Sequence, residues 1–337
     1  MDVLAASPGR PSSVWRRSSY TSTPDLGFQI RFNENHKQPT VLTQLTQAPV
    51  MGVNMHSVSL LRLDKIGGLA PGNKHFKLMG NLAEARRLGV NRLVSFGGAW
   101  SNHLHALAAV GFEQGVQTVG IVRGDDNVAE TPMLTEARGW GMEIVKVSRT
   151  EYRQRFDEHY LNAIRSRFAP CLLIPEGGAN AEGVRGCMAI ADLIVSAAPS
   201  VRRLAVSVGT GTTLAGLVAA LGSGYEITGI SALKGATDLE QRVAGVLLSL
   251  NVESSAQWRI IHDGHCGGFA RTNAGLRAFM LEFERVQGIA LEPVYTGKML
   301  YAIHRRLASE QGCRNDALLA IHTGGLQGRR GYDWLAQ

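Results

Sequence analysis

The stretch "RLVSFGGAWSNHLHALAAVGFEQGVQTVGIVRG", Arg92 to Gly124, decides how the rest of the chain is read. It begins with an apolar run, "RLVSFGG", of the kind that forms a buried strand. "SNHLHALAAVGFEQG" follows at helical spacing, and Leu104, Leu107, Ala108 and Phe112 make its expected apolar face. "VQTVGIVRG" is strand-like again. Two apolar strands joined through a helix call for a right-handed crossover over a parallel sheet.

The same alternation extends outward. "TPMLTEARGWG" and "EIVKVS" continue it as helix and strand, and "EYRQRFDEHYLNAIRSRF" reads as one long helix. Then come the strand "CLLIPEGG", a helix through "EGVRGCMAIADLIVSA", the strand "RLAVSVG" and the helix "TTLAGLVAAL". The strands "EITGISA", "WRIIHD" and "ALLAIHTGG" are interleaved with helices at Leu239 to Leu248, Ala274 to Val286 and Lys298 to Ser309. Upstream, "FQIRF" (Phe28 to Phe32) and "SVSLLRLD" (Ser57 to Asp64) are short strand-like runs, and "NLAEARRLG" reads as a helix ending at Gly89. The chain is α/β, and the lack of a fixed-period repeat excludes a solenoid or propeller. Strand and helix counts near eight keep a closed barrel open as an alternative.

With 337 residues, 45% apolar and 19% charged, the chain has a globular composition and room for one large or two ordinary domains. Its net charge of +7 is spread along the sequence without basic blocks or interleaved aromatics, so no nucleic-acid partner is expected. Cys171, Cys187, Cys266 and Cys313 are far apart and read as free thiols. No apolar run is long enough to span a membrane. Residues 1–25, rich in Ser, Pro and Arg, read as a flexible arm, with a transit peptide as the alternative, and a cytoplasmic location is expected.

Glycine pairs close several of these strands, and strand ends on one edge of a parallel sheet are where ligands bind. "SVGTGTTLAG" (Ser207 to Gly216) is a strand, a glycine-rich turn with three threonines and a helix start, a pattern that offers backbone N–H groups to one compact phosphate. It lacks the Gly-Lys-Ser/Thr ending of a nucleotide-triphosphate loop, and Leu214 stands where a dinucleotide fingerprint needs its third glycine. "FGGAWSNHLHAL" (Phe96 to Leu107) puts Ser101, Asn102 and His103 at a strand-to-helix junction, either as a ligand rim or, for Ser101, as a helix cap. His103 and His105 cannot share a helix face. "GGLAPGNKHFKLMGNL" (Gly67 to Leu82) holds Lys74, one of only seven lysines, in a turn ahead of a helix. A lysine of depressed pKa attacks carbonyls, and pyridoxal 5'-phosphate unites an aldehyde with a phosphate. "HDGHCGG", His262 to Gly268, reads as a loop and not as a metal site, and Tyr295 in "PVYTGK" precedes a late helix.

Together these motifs resemble the pyridoxal-phosphate-dependent family that contains 1-aminocyclopropane-1-carboxylate deaminase and D-cysteine desulfhydrase, over about Val58 to Gly325. The resemblance implies a tryptophan-synthase-β-like fold (fold type II), with two three-layer α/β/α domains and mostly parallel sheets. It places a large cofactor-binding domain in 26–80 and 200–337, a small α/β domain in 81–199, and a homodimer in solution.

It further implies that Lys74 bonds covalently to the cofactor aldehyde and that Gly209, Thr210, Gly211, Thr212 and Thr213 bind its phosphate. Asn102 would meet the ring hydroxyl, Thr323 the pyridine nitrogen, and Tyr295 the ring. Ser101 would act on the substrate carboxylate or in proton transfer, and Trp100, Ser101, Asn102 and His103 would form the rim around a small amino-acid substrate. The deaminase branch typically has Glu where Thr296 stands and Leu where Thr323 stands, which turns the expectation toward D-cysteine desulfhydration, to pyruvate, sulfide and ammonia. 1-Aminocyclopropane-1-carboxylate deamination, or a divergent cofactor-binding relative with another substrate, is the alternative. Trp100 and Phe269 replace residues usual in the family.

Overall fold

The structure, a computed structural model, describes residues 41–124, 130–309 and 317–335. The strand expected at Phe28–Phe32, the arm at residues 1–25 and Cys313 lie outside them.

The segment that opens the sequence reading folds as expected. β3 (Arg92–Gly98), α2 (Asn102–Gln114) and β4 (Gln117–Arg123) form one crossover unit, with β3 and β4 parallel and in register from Arg92 against Gln117 to Gly98 against Arg123. The helix buries Leu104, Leu107 and Ala108, while Phe112 at its end is 60% exposed. After α3 (Pro132–Gly139) and β5 (Glu143–Val147), the long helix expected next is two: α4 (Arg149–Arg153) and α5 (Glu158–Arg167). Asp157 causes the break, because its side chain accepts the Tyr160 N–H and starts a new helix. β6 (Leu172–Ile174) returns to pair with β3, giving a parallel sheet in the order β5-β4-β3-β6.

The second sheet is built from both ends of the chain. β1 (Leu42–Gln44) pairs antiparallel with β2 (Val58–Arg62), and the remaining strands are parallel. These are β7 (Arg203–Val208), β8 (Glu226–Ser231), β9 (Gln257–Ile261) and β10 (Leu318–His322), in the order β1-β2-β10-β7-β8-β9. Neither sheet closes on itself, so the barrel alternative falls. β1 has only three residues and no hydrophobic alternation, so the sequence pattern does not mark it.

Helices cover both faces of each sheet. On the six-stranded sheet, Leu61, Leu204, Val206 and Ile321 face α6 (Ala181–Ala197), α7 (Thr212–Ala220) and α8 (Leu239–Ser249). Leu60, Ala205 and Ala320, one residue out of phase, face α9 (Ala274–Gln287) and α10 (Thr296–Ala308). The four-stranded sheet divides in the same way, with Leu93 and Val122 on one side and Val94, Phe96 and Ile121 on the other. No helix among the described residues is long and apolar enough to cross a membrane.

α1 (Asn73–Arg87) begins two turns earlier than its apolar pattern suggests. Its buried face opens with Asn73, Lys77 and Asn81, at i, i+4 and i+8, which hides the helical period from a hydrophobicity reading. Lys74 therefore sits in the first turn of a helix, and the expected boundary between residues 80 and 81 falls inside that helix. α1 crosses α6 at Gly80 and Gly186, where a Cβ on either would stand 2.0 Å from the facing backbone carbonyl oxygen, of Glu182 or Phe76.

Candidate active site

In each sheet the strand order reverses beside a central strand, between β3 and β6 and between β10 and β7. The carboxyl ends of strands at such a reversal leave a crevice that loops and helix N-termini can line. Here both crevices open on the same cavity, which encloses about 1010 Å³ of space free of atoms, its open mouth included.

The six-stranded sheet supplies the anion cradle. After β7 the chain passes through Gly209, Thr210 and Gly211, the last at φ +86°, into α7. No side chain caps α7, so its first N–H groups face the cavity wall formed by residues 209–213. Thr210 Oγ1 lies 2.9 Å from Thr212 Oγ1, and Asn73 Nδ2 donates to Thr213 Oγ1 across 2.8 Å. Lys77 Nζ donates to the Gly177 carbonyl at 3.1 Å and to Thr210 Oγ1 at 3.4 Å. Burial, and then the charge of Lys74, pull its amine down to about 7. Lys77 is the functional candidate that sequence reasoning passes over, although its signal, a second lysine three residues after Lys74, is in the quoted stretch.

Lys74 Nζ sits in the same cavity, 3.3 Å from Asn73 Oδ1 and 5.7 Å from the centre of the Tyr295 ring. Burial holds its amine below the ordinary lysine value. Among the described residues no carboxylate forms an ion pair with either lysine. Two buried amines without a counter-ion, beside an uncapped helix N-terminus, form a site complementary to an anion.

Tyr295 closes one side. A Cβ at Gly209 would come within 2.9 Å of its ring, so glycine is what lets the aromatic lie against the cradle. Its loop is held by Glu292, which is 1% exposed and whose carboxylate accepts the N–H groups of Val294, Tyr295 and Thr296 at 2.8, 2.7 and 2.6 Å. Phe269 packs edge-on against Tyr295, with centroids 6.2 Å apart. Thr323, at the end of β10, places its hydroxyl 3.1 Å from that of Thr296 and 3.3 Å from that of Ser207. The Thr323 carbonyl accepts the Asn73 N–H at 3.0 Å, which ties β10 to the start of α1.

The four-stranded sheet contributes α2. Asn102, His105 and Ala106 line the cavity, and Asn102 Oδ1 accepts from Gln327 Nε2. Ser101 points its Oγ at the Leu104 N–H, 3.2 Å away, as a helix cap. His103 is buried behind the wall, beside Gly178 and the Lys77 side chain, with Nε2 2.9 Å from Ser95 Oγ, and Trp100 stacks over Gly331 at the protein surface. The structure thus gathers Lys74, Asn102, residues 209–213, Tyr295 and Thr323 around one space, and leaves Trp100, Ser101 and His103 outside its wall. His262, read as part of a loop, is 2.7 Å from Glu240.

The residues fit pyridoxal phosphate: a buried amine for its aldehyde, a phosphate cradle within reach, and an aromatic face for its ring. The family pattern described as "Pyridoxal-phosphate dependent enzyme" matches residues 43–324. Two curated relatives, each named "Putative 1-aminocyclopropane-1-carboxylate deaminase", come from Pyrococcus abyssi and Pyrococcus horikoshii. The first is 25% identical over 82% of this chain and 86% of its own length, the second 24% over 80% and 84%. A crystal structure of an ACC deaminase homologue superposes with a TM-score of 0.71 at 22% identity, over 85% of this chain and 89% of the other. The chain belongs to the family of pyridoxal-phosphate-dependent enzymes and has its tryptophan-synthase-β-like, type II fold.

Proposed function

We propose that this enzyme is a lyase that releases ammonia from a small amino acid, and that 1-aminocyclopropane-1-carboxylate is the first substrate to test. One observation carries the reaction class: Lys74, the Lys77–Thr210 cradle and the Tyr295 face surround one cavity. The names of the two archaeal relatives support the substrate.

Pyridoxal phosphate supplies an aldehyde that bonds amines and a conjugated ring that takes up the electron pair left when a bond at Cα breaks. The protein's own residues do the rest. The α7 N–H groups, the threonine hydroxyls and Lys77 hold the phosphate. Lys74 would hold the aldehyde. Its amine, held by burial below the ordinary lysine value, would also be the base for a proton at the substrate Cα. Tyr295 would cover the ring and exclude water from one side. Asn102, whose Oδ1 accepts from Gln327, would hydrogen-bond the ring hydroxyl through its Nδ2. Thr323 would offer the ring nitrogen a hydroxyl, which lacks the charge that would favour protonation there. Ser101, as the cap of α2, fixes the N–H groups that meet the substrate side of the cavity. The working assembly in this reading is a homodimer, which sedimentation reads directly.

D-Cysteine desulfhydration is the second reading, and Thr296 favours it. That position is fully buried and holds a hydroxyl bonded to Thr323, with no carboxylate to assist ring opening. The cofactor-loaded enzyme is to be incubated with 1-aminocyclopropane-1-carboxylate, D-cysteine and L-cysteine, with ammonia, 2-oxo acid and sulfide measured. Ammonia and a 2-oxo acid from the cyclopropane support the first reading. Sulfide from D-cysteine alone replaces it with the second, and no product from any of them refutes both.

A further inference from the structure

β10 ends in a histidine to which the cofactor chemistry gives no work. His322 stands one residue before Thr323 and is fully buried, in register with Arg62 of β2. Its Nε2 lies 2.9 Å from the Ala290 carbonyl, in the loop ahead of α10. A carbonyl is an acceptor only, so Nε2 carries a proton and donates it. The other nitrogen, Nδ1, has two partners. The Gly324 N–H donates to it across 3.2 Å, and Asp64 Oδ1, in the turn after β2, lies 3.3 Å away.

These two bonds exclude each other. Nδ1 accepts from Gly324 only when it holds no proton, and it engages a carboxylate only when it holds one. The charges acting on the ring are Asp64, which favours the proton, and Arg62, which opposes it. Asp64 is also committed to Arg62, whose Nε and Nη2 donate to its two oxygens at 2.8 and 2.6 Å. Burial outweighs Asp64 and holds the imidazole below the ordinary histidine value, so the neutral ring keeps Gly324.

Gly324 is where β10 meets the entry to α1. It forms a β-bridge with Gly72, and a Cβ on it would stand 2.5 Å from the Pro71 carbonyl oxygen. Thr323, just before it, accepts the Asn73 N–H at the start of α1. One imidazole nitrogen thus fixes the turn that presents Thr323 and adjoins the helix of Lys74 and Lys77. Asp64, Thr323 and Gly324 all line the cavity.

We propose that His322 is a positioning residue, which holds the Thr323–Gly324 turn while neutral and exchanges it for Asp64 when protonated. The exchange of partners belongs to the protein alone, whereas its effect on the ring nitrogen rests on the cofactor reading above. Acid then loosens the wall that Thr323 presents, through a single proton taken up at Nδ1.

Histidine-selective nitrogen NMR reads the imidazole directly in the cofactor-free protein, with the His322 signals assigned by their absence in His322→Asn. The Nε2–H form at neutral pH, titrating below the ordinary histidine value, is expected. Asp64→Asn should move that titration further down, since the protonated ring loses its carboxylate. A charged ring or the Nδ1–H form at neutral pH overturns the exchange. In the loaded enzyme, pyridoxal phosphate isotopically labelled at its ring nitrogen reports the Thr323 contact through its chemical shift. That shift should change as pH falls through the His322 titration, and the cofactor's dissociation constant should rise by about tenfold. His322→Asn offers an oxygen to the Gly324 N–H but cannot protonate, so it should keep the neutral-pH shift and lose the response. His322→Leu, with no acceptor, should show the altered shift at every pH. An unaltered enzyme and a His322→Asn variant that respond alike to pH overturn the positioning role. Failure of the unaltered protein to bind the cofactor overturns the cofactor reading and that role with it, while the histidine spectra still decide the exchange of partners.

Discussion

Asn73 Nδ2 and Thr213 Oγ1, 140 residues apart in sequence, are joined by a buried 2.8 Å hydrogen bond. The bond links the first turn of α1, which carries both lysines, to the first turn of α7, which forms the cradle. Asn73→Ala leaves Thr213 without its donor and should cost about 1–3 kcal/mol. A lowered melting temperature together with weaker cofactor retention on dialysis is the expected result.

Replacing Lys74 removes the amine that bonds the aldehyde. Lys74→Ala should show no visible cofactor band and no mass increase after borohydride treatment, with unchanged circular dichroism, since its side chain contributes little to the core. Borohydride trapping at another lysine, located by peptide mass spectrometry, would transfer the role elsewhere.

Lys77 faces the cradle without a covalent task. A charge-assisted hydrogen bond contributes about 1.5–3 kcal/mol, so Lys77→Met should raise the dissociation constant for the cofactor by roughly 10- to 100-fold. Equilibrium dialysis against pyridoxal phosphate measures it. Unchanged retention would remove Lys77 from the phosphate site.

The buried lysines also predict how stability follows pH. Without the cofactor, folded Lys77 titrates at about 7, whereas the unfolded chain keeps that lysine protonated up to its ordinary value. Between the two, the unfolded state binds more protons, so stability of the cofactor-free protein rises with pH across that window. Lys74 acts in the same direction, as does Lys298, whose amine burial holds to about 8. Urea unfolding at pH about 7 and about 9 should show the rise, and Lys77→Met should flatten it. The bound phosphate, which favours the charged amine, should reduce it too.

Gly209→Ala would set a methyl group 2.9 Å from the Tyr295 ring. The ring must then move off the cradle, and cofactor fluorescence should report a wetter environment with reduced loading. Normal loading would show that the loop yields instead.

The order of strands and helices was legible because the parallel sheets bury both faces, so their strands are continuous apolar runs such as "RLVSFGG". The glycine-threonine turn after β7 was legible for a related reason, since the approach of backbone to a ligand demands glycine. What escaped notice was polar and buried. Asn73 and Lys77 interrupt the apolar stripe of α1 and so conceal two helical turns, and with them the cradle's second lysine. His103 and His105 could be separated onto different faces of α2, but only the fold shows that His105 is the one on the cavity wall. Thr296 and Thr323, 27 residues apart, meet through strand order and not through any local motif.

The crossing of α1 and α6 at Gly80 and Gly186 has a bearing on the two amines. With backbones in direct touch, neither helix can roll about its axis without driving main chain into main chain, and neither can slide without losing the notch that seats it. Lys74 and Lys77 ride on the end of that wedged rod. Their bearing on a ligand is settled when the chain folds, so binding and turnover need not realign them.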